Sequence, residues 1–189
     1  MPHYEVYEKT IELPNDVAAE LEEDLMTYRL RISGPKGSLE KDFDKLGLSM
    51  ELDGNKIKIY KKNATKRHKR VINTYASKIK NMITGVTKGW RYELGIFYKH
   101  YPMKVSISGN EIIVENYKGE KKPRRIPIID GVEVKIDGNK IIVTSIDIEK
   151  AGTMAGLIEQ KTRPTRNLWD IRKFWDGIYI TKKKEVVDE

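Results

Sequence analysis

Cations interleaved with planar side chains are the chemistry this chain offers. Between residues 161 and 180 stand Lys161, Arg163, Arg166, Arg172 and Lys173, against only Asp170 and Asp176. Trp169, Phe174, Trp175 and Tyr179 are set among them. Guanidinium forks match phosphate oxygens and stack on bases, while indole and phenol rings offer stacking faces. A second basic cluster is Lys66, Arg67, His68, Lys69 and Arg70, and a third is the loop Lys121-Lys122-Pro123-Arg124-Arg125. Each has a plainer reading. The first could be a tail whose aromatics anchor against the domain while its cations face outward, and the second a solvated basic turn. Yet Lys66 to Arg70 fall at the expected start of a helix, where cations oppose the macrodipole and a phosphate backbone would compensate them.

Other chemistries are thinly provided for. The three histidines, His3, His68 and His100, are isolated, and there is no cysteine. Neither a disulfide framework nor a thiolate metal site is therefore possible, and no cofactor or metal is expected. Gly34-Pro35-Lys36-Gly37-Ser38 resembles a phosphate loop in composition only, because the spacing is wrong and a strand-like Leu39–Phe43 follows. Carboxylate pairs exist, but none stands at a spacing that singles it out. An enzyme acting on a small molecule is not expected. With 189 residues and a formal net charge of +8, a polyanion is the partner the composition favours. No apolar run approaches membrane-spanning length and the N-terminus lacks a signal-peptide core, which predicts a soluble cytoplasmic protein without membrane contact.

The elements that must position these clusters are read from a repeat. Asp53-Gly54-Asn55-Lys56 and Asp137-Gly138-Asn139-Lys140 are each entered and left by alternating apolar residues, as β-hairpins with one buried face are. Lys36-Gly37 upstream of the first has its partner in Lys118-Gly119 upstream of the second, and a helix-like segment follows each. Three matches in the same order imply an α+β fold made by tandem duplication of a small antiparallel sheet packed with one helix. The expected domains are 1–86 and 87–180, the second including the extension 161–180, with 181–189 a flexible tail. Val17–Leu25 is read as a strand by analogy with Val105–Ile107, and Glu22-Glu23-Asp24 as a solvated turn. The first helix is expected from an N-cap at Thr65 to a stop at Gly85, burying Val71, Ile72, Tyr75, Ile79, Met82, Ile83 and Val86. Residues 88–102 read as one long strand. Asp147 opens the second helix, with Ile148, Ala151, Met154, Ala155 and Ile158 on its apolar side and the small Gly152 and Gly156 allowing close packing.

Several stretches resemble the large-subunit ribosomal protein L-six family in its archaeal and eukaryotic form, over nearly the whole chain. They are Gly34-Pro35-Lys36-Gly37 with Leu39, Asn81-Met82-Ile83-Thr84-Gly85-Val86-Thr87-Lys88-Gly89-Trp90, and Tyr98 with His100-Tyr101-Pro102 and Lys104-Val105. Arg163, Asn167, Asp170 and Asp176-Gly177-Ile178-Tyr179-Ile180 complete the set. The resemblance implies two similar α+β domains and a structural ribonucleoprotein component of the large ribosomal subunit, bound to large-subunit ribosomal RNA near the factor-binding region and stalk base. It implies neighbouring large-subunit ribosomal proteins as partners, translation GTPases nearby, and RNA contact made mainly by the C-terminal domain and its tail. Leu168, Trp169, Ile171 and Trp175 stand where the family commonly carries Arg or Gln. A free RNA-binding regulator with tandem basic domains is the alternative. The candidate RNA-contacting residues are Lys161, Arg163, Arg166, Asn167, Arg172, Lys173 and Tyr179, then Lys66, Arg67, His68 and Arg70, then Lys121, Arg124 and Arg125.

Overall fold

In the computed structural model, which describes residues 4–163 and 175–187, both Asp-Gly-Asn-Lys stretches close two-residue hairpin loops. Gly54 and Gly138 each take φ +55° at the first central position, where a glycine meets no steric cost. The chain is α+β and divides into two units, residues 1–88 and 89–189.

The first unit runs β1 (Tyr4–Glu12), β2 (Ala18–Glu23), β3 (Thr27–Gly34), β4 (Gly37–Asp44), β5 (Ser49–Asp53), β6 (Lys56–Ala64) and α1 (Lys66–Thr87). Its strands form two antiparallel sheets, ordered β1-β6-β5 and β2-β3-β4. Alternation places Leu30, Ile32, Ile57 and Ile59 in the core, and α1 adds Ile72, Ala76, Ile79, Met82, Ile83 and Val86. The expected Val71 and Tyr75 are only half-buried, and Ala76 takes a place in the stripe. Glu22 and Glu23 belong to β2, opposite Arg29 and Tyr28, and not to the turn. The helix passes through Gly85, which lies on its buried face, and ends at Thr87. Gly89, with φ +84°, turns the chain there instead. The Gly-Pro-Lys-Gly turn is docked on that helix end. Lys36 donates its backbone N–H to Val86 O (2.9 Å) and its ammonium to Lys88 O (2.5 Å). A Cβ on Gly34 would come within 2.9 Å of the Val86 side chain, so only glycine permits this approach.

The second unit repeats the order: β7 (Trp90–Phe97), β8 (Lys104–Ser108), β9 (Glu111–Glu115), β10 (Arg124–Pro127), β11 (Glu133–Asp137), β12 (Lys140–Ser145) and α2 (Ile148–Lys161). It then adds β13 (Gly177–Val186). The sheets are β10-β9-β8 and β11-β12-β7-β13. β7 therefore corresponds to β1, with β13 laid along the edge that β1 leaves open in its own sheet. Asp147 caps α2, its carboxylate accepting from Glu149 N (2.9 Å), and Ala151, Met154, Ala155 and Ile158 pack into the core with Leu94, Ile96 and Val143. Gly152 allows the predicted close packing, since a Cβ there would lie 3.1 Å from the Tyr92 hydroxyl.

Three further expectations change. The aromatic strand stops at Phe97, and Tyr98–Met103 form a connection to β8. Arg124 and Arg125 are strand residues paired with Val114 and Ile113, not a loop. Residues 181–186, expected in the flexible tail, continue β13 against β7. Lys182 faces Glu93 and Glu185 faces Arg91 across register shifts that break the alternation.

Candidate nucleic-acid interface

The basic aromatic extension leaves α2 after Thr162 and rejoins the described chain at Trp175, and both ends are fixed by buried polar groups. At the exit, Tyr117 donates its hydroxyl to Thr162 O (2.5 Å), and Arg124 donates to Lys161 O. Thr162, itself buried, also receives the Ile178 N–H at its Oγ1 (3.4 Å), which ties the exit to the return strand. At the return, Asp176 is wholly buried, and its carboxylate accepts from His100 N (3.0 Å) and Tyr101 N (3.2 Å). The chain between these anchors holds Arg166, Asn167, Trp169, Arg172, Lys173 and Phe174. They lie outside the described residues.

The electrostatics of this corner follow from burial. Desolvation pushes the Asp176 carboxyl up, but the backbone N–H groups of His100, Tyr101 and Lys99 outweigh it. The group is held below the ordinary carboxylate range. Burial pushes the Tyr117 phenol up to about 12, opposed by the Arg124 guanidinium, which lies 3.9 Å from its ring centroid. Burial also lowers Lys118, whose ammonium sits over the Tyr117 ring at 5.7 Å, while Asp176 counters the shift. Hydrogen bonding to Glu120 raises Arg124, against burial, which lowers it. Tyr117, Lys118, Glu120, Thr162 and Asp176 thus form a positioning network that motif reading did not single out as one. Two of its members carried a sequence signal: Asp176 through the Asp-Gly-Ile-Tyr stretch and Lys118 through the repeated Lys-Gly pair.

Around this corner the structure brings together Lys161 and Arg163, both exposed, with Arg124 and Tyr179. Tyr179 is half-buried on β13, its ring 6.2 Å from that of Phe97. Arg124 is stacked and ion-paired to Glu120, so its fork is committed within the protein. Arg125 is exposed and meets Glu111 at 3.2 Å, and Lys121 is exposed in the connection to β10. The cluster at the start of α1 belongs to the other unit. There Lys66, Arg67 and Arg70 are exposed, and no acidic residue stands in the first turn. His68 closes a capping box: its Nδ1 accepts from Thr65 N (3.2 Å) while Thr65 Oγ1 accepts from His68 N (3.5 Å). Lys69 lies over the rings of Tyr4 and Tyr7, at 4.9 and 5.3 Å. Capping and ring contact are visible only in three dimensions, which is why these two residues read as free cations in the sequence.

The family model described as ribosomal protein L6 matches the chain twice, over residues 13–89 and 101–177. The chain belongs to the ribosomal protein L6 family. It is 42% identical to the large ribosomal subunit protein uL6 of Archaeoglobus fulgidus over 181 residues, covering 95% of this chain and 91% of that protein. It is also 42% identical to uL6 of Nanoarchaeum equitans, with 95% of each covered, and 41% identical to uL6 of Sulfurisphaera tokodaii, with 97% and 96% covered. The two matches to one L6 model, one in each unit, agree with the duplication read from the hairpins. The second begins at Tyr101 and ends at Gly177, beside the buried Asp176.

Proposed function

We propose that this chain is a structural constituent of the large ribosomal subunit, without enzymatic activity, that binds large-subunit ribosomal RNA near the factor-binding region and stalk base. Its working place is then the ribosome in the cytoplasm, beside neighbouring large-subunit proteins and within reach of translation GTPases. The observation that carries this reading is the anchoring of the chain by buried polar groups at Thr162 and Asp176, in a chain of the L6 family. A fold that buries Thr162, Asp176 and Tyr117 to fix both ends of one cation-rich stretch is built to present that stretch. Lys161, Arg163, Arg166, Asn167, Arg172, Lys173 and Tyr179 supply the principal contacts. Lys66, Arg67 and Arg70 add a second phosphate-binding patch, and Lys121 and Arg125 a third. Arg124 and His68 serve by holding the backbone that carries them.

Two measurements test the proposal. On sucrose gradients the protein is expected almost wholly in large subunits, whereas a free regulator would remain largely outside them. Binding to deproteinised large-subunit RNA is expected to weaken with salt at a log–log slope of roughly −4 to −8, as neutralisation of about five to ten phosphates requires. A flat salt response, or absence from the subunit fraction, would overturn it.

A further inference from the structure

The β11-β12-β7-β13 sheet buries one face against α2, and among the described residues of this unit no helix covers the other. Along β7, Tyr92, Leu94 and Ile96 enter the core, so Arg91, Glu93, Gly95 and Phe97 occupy the opposite face. Residues directly opposite in antiparallel strands share a face. Gly95 therefore stands between Lys140 of β12 and Tyr179 of β13, and Phe97 stands beside Gly177. Glycine and aromatic alternate here as a checkerboard. A Cβ on Gly95 would lie 2.6 Å from the Phe97 ring, and one on Gly177 would lie 3.1 Å from the Tyr179 ring. Each ring thus folds back over the glycine two residues earlier in its own strand. Trp175 extends the cluster, its ring 6.2 Å from Phe97.

Covering bare glycines is one use for such rings. It does not account for their exposure: Phe97 is 38% and Trp175 44% accessible. Contiguous exposed ring surface rimmed by polar residues marks a binding surface. Beside the rings stands Lys140, on the same face and exposed, in a chain of net charge +8. Exposed rings with cations alongside are how sheets hold unstacked bases. Resting on the reading that the chain binds ribosomal RNA, we propose that Phe97, Tyr179 and Trp175 form a stacking platform. It holds an unpaired nucleobase of that RNA on the sheet face opposite α2, and Lys140 meets its phosphate.

The test compares the full-length parent with Phe97→Leu/Trp175→Leu and with Phe97→Tyr/Trp175→Phe, on deproteinised large-subunit RNA. Leucine keeps apolar cover over the glycines but has no π-face. The leucine pair is expected to bind on the order of tenfold or more weaker at fixed salt, with an unchanged salt slope because the lost contact is uncharged. The aromatic pair is expected to bind like the parent. A leucine pair that binds RNA like the parent overturns the platform while leaving the RNA reading intact. A leucine pair that keeps RNA affinity yet fails to enter subunits makes the face a protein contact and also overturns it. A parent that does not bind RNA sinks both readings together. Independently of the leucine pair's stability, Trp90→Phe/Trp169→Phe leaves Trp175 as the sole indole. Its fluorescence is expected to be quenched by RNA, and unaltered emission contradicts stacking.

Discussion

The two units are built to one plan and differ at the place where the plan runs out. β1 and β7, the three-stranded sheets β2-β3-β4 and β10-β9-β8, the twin hairpins and the helices correspond in order. After α1 the chain leaves its unit. After α2 it crosses the cation-rich extension and returns as β13 beside β7. The helices differ in the same sense. α2 has Asp147 as its cap, Glu149 in its first turn and Lys161 in its last, in accord with its dipole. α1 has no acid in its first turn and no base in its last, and begins Lys66-Arg67-His68-Lys69-Arg70. One copy of the scaffold accords with the helix dipole and the other opposes it, which is the contrast the proposed phosphate contact at α1 would explain. The duplication supplies two cores, and the departures from it coincide with the cation-rich segments proposed above to contact RNA.

The comparison breaks most easily at the extension. Neutralising Arg163, Arg166, Arg172 and Lys173 together is expected to lower affinity for large-subunit RNA by roughly a hundredfold or more, since charge-assisted phosphate contacts are lost. The melting temperature is expected to move little, and a large fall would show that these side chains pack against the fold. Neutralising Lys66, Arg67 and Arg70 should cost RNA binding less. Filter binding and thermal unfolding of both variants decide the ranking. If the α1 variant loses more affinity, the first unit is the main contact surface.

The corner that holds the extension gives the next largest effect, now on stability. Removing the Asp176 carboxylate as Asp176→Ala deprives the part-buried N–H groups of His100 and Tyr101 of this acceptor, at a cost of about 1–3 kcal/mol. The pH dependence has a definite sign. Asp176 has a depressed folded-state pKa, so its contribution is fully present above the unfolded value of about 3.9 and is lost as pH falls through the lower folded value. The gap between parent and variant should therefore be constant from neutral pH down to about pH 5 and narrow below that. Thermal unfolding across that range checks it, and a gap that widens in acid contradicts the assignment.

What could be read in the sequence is what local pattern dictates. The repeated Asp-Gly-Asn-Lys, the alternation on both sides of it and the apolar stripes of the helices fixed the duplicated α+β plan. What could not be read depends on partners distant in the chain. The aromatic run stops at Phe97 because the residues after it bind Asp176, some 75 positions away. Arg124 looked like a free cation because nothing local announces that Tyr117 underlies its guanidinium. β13 could not be read as a strand because Gly177–Ile180 close the cation-rich extension and the register shifts after Ile180 abolish the alternation by which strands are recognised, so that Lys182-Lys183-Lys184 resembles a solvated end. Of the candidate contacts, Arg166, Asn167, Arg172 and Lys173 lie outside the described residues, so their part in the interface rests on the tests above.

The smallest effect expected is the sharpest test of the contrast between the helices, because its two readouts move in opposite directions. Lys66 and Arg67 occupy the first turn of α1, where the unpaired N–H groups present positive partial charge. Lys66→Glu/Arg67→Glu replaces repulsion with attraction and should raise stability by about 0.3–1 kcal/mol for each residue at low ionic strength, fading as salt is added. The Thr65–His68 capping box lies in the backbone and the imidazole, so the substitutions leave it in place. If the cations are there for a phosphate backbone, the same variant must bind RNA more weakly than the parent, by more than neutral Lys66→Gln/Arg67→Gln does. A protein that becomes both more stable and a poorer RNA binder establishes that the first unit gives up stability for contact. A more stable protein with unaltered RNA affinity would show a solvated basic turn, and the second unit would then be the only RNA-binding half of the duplication.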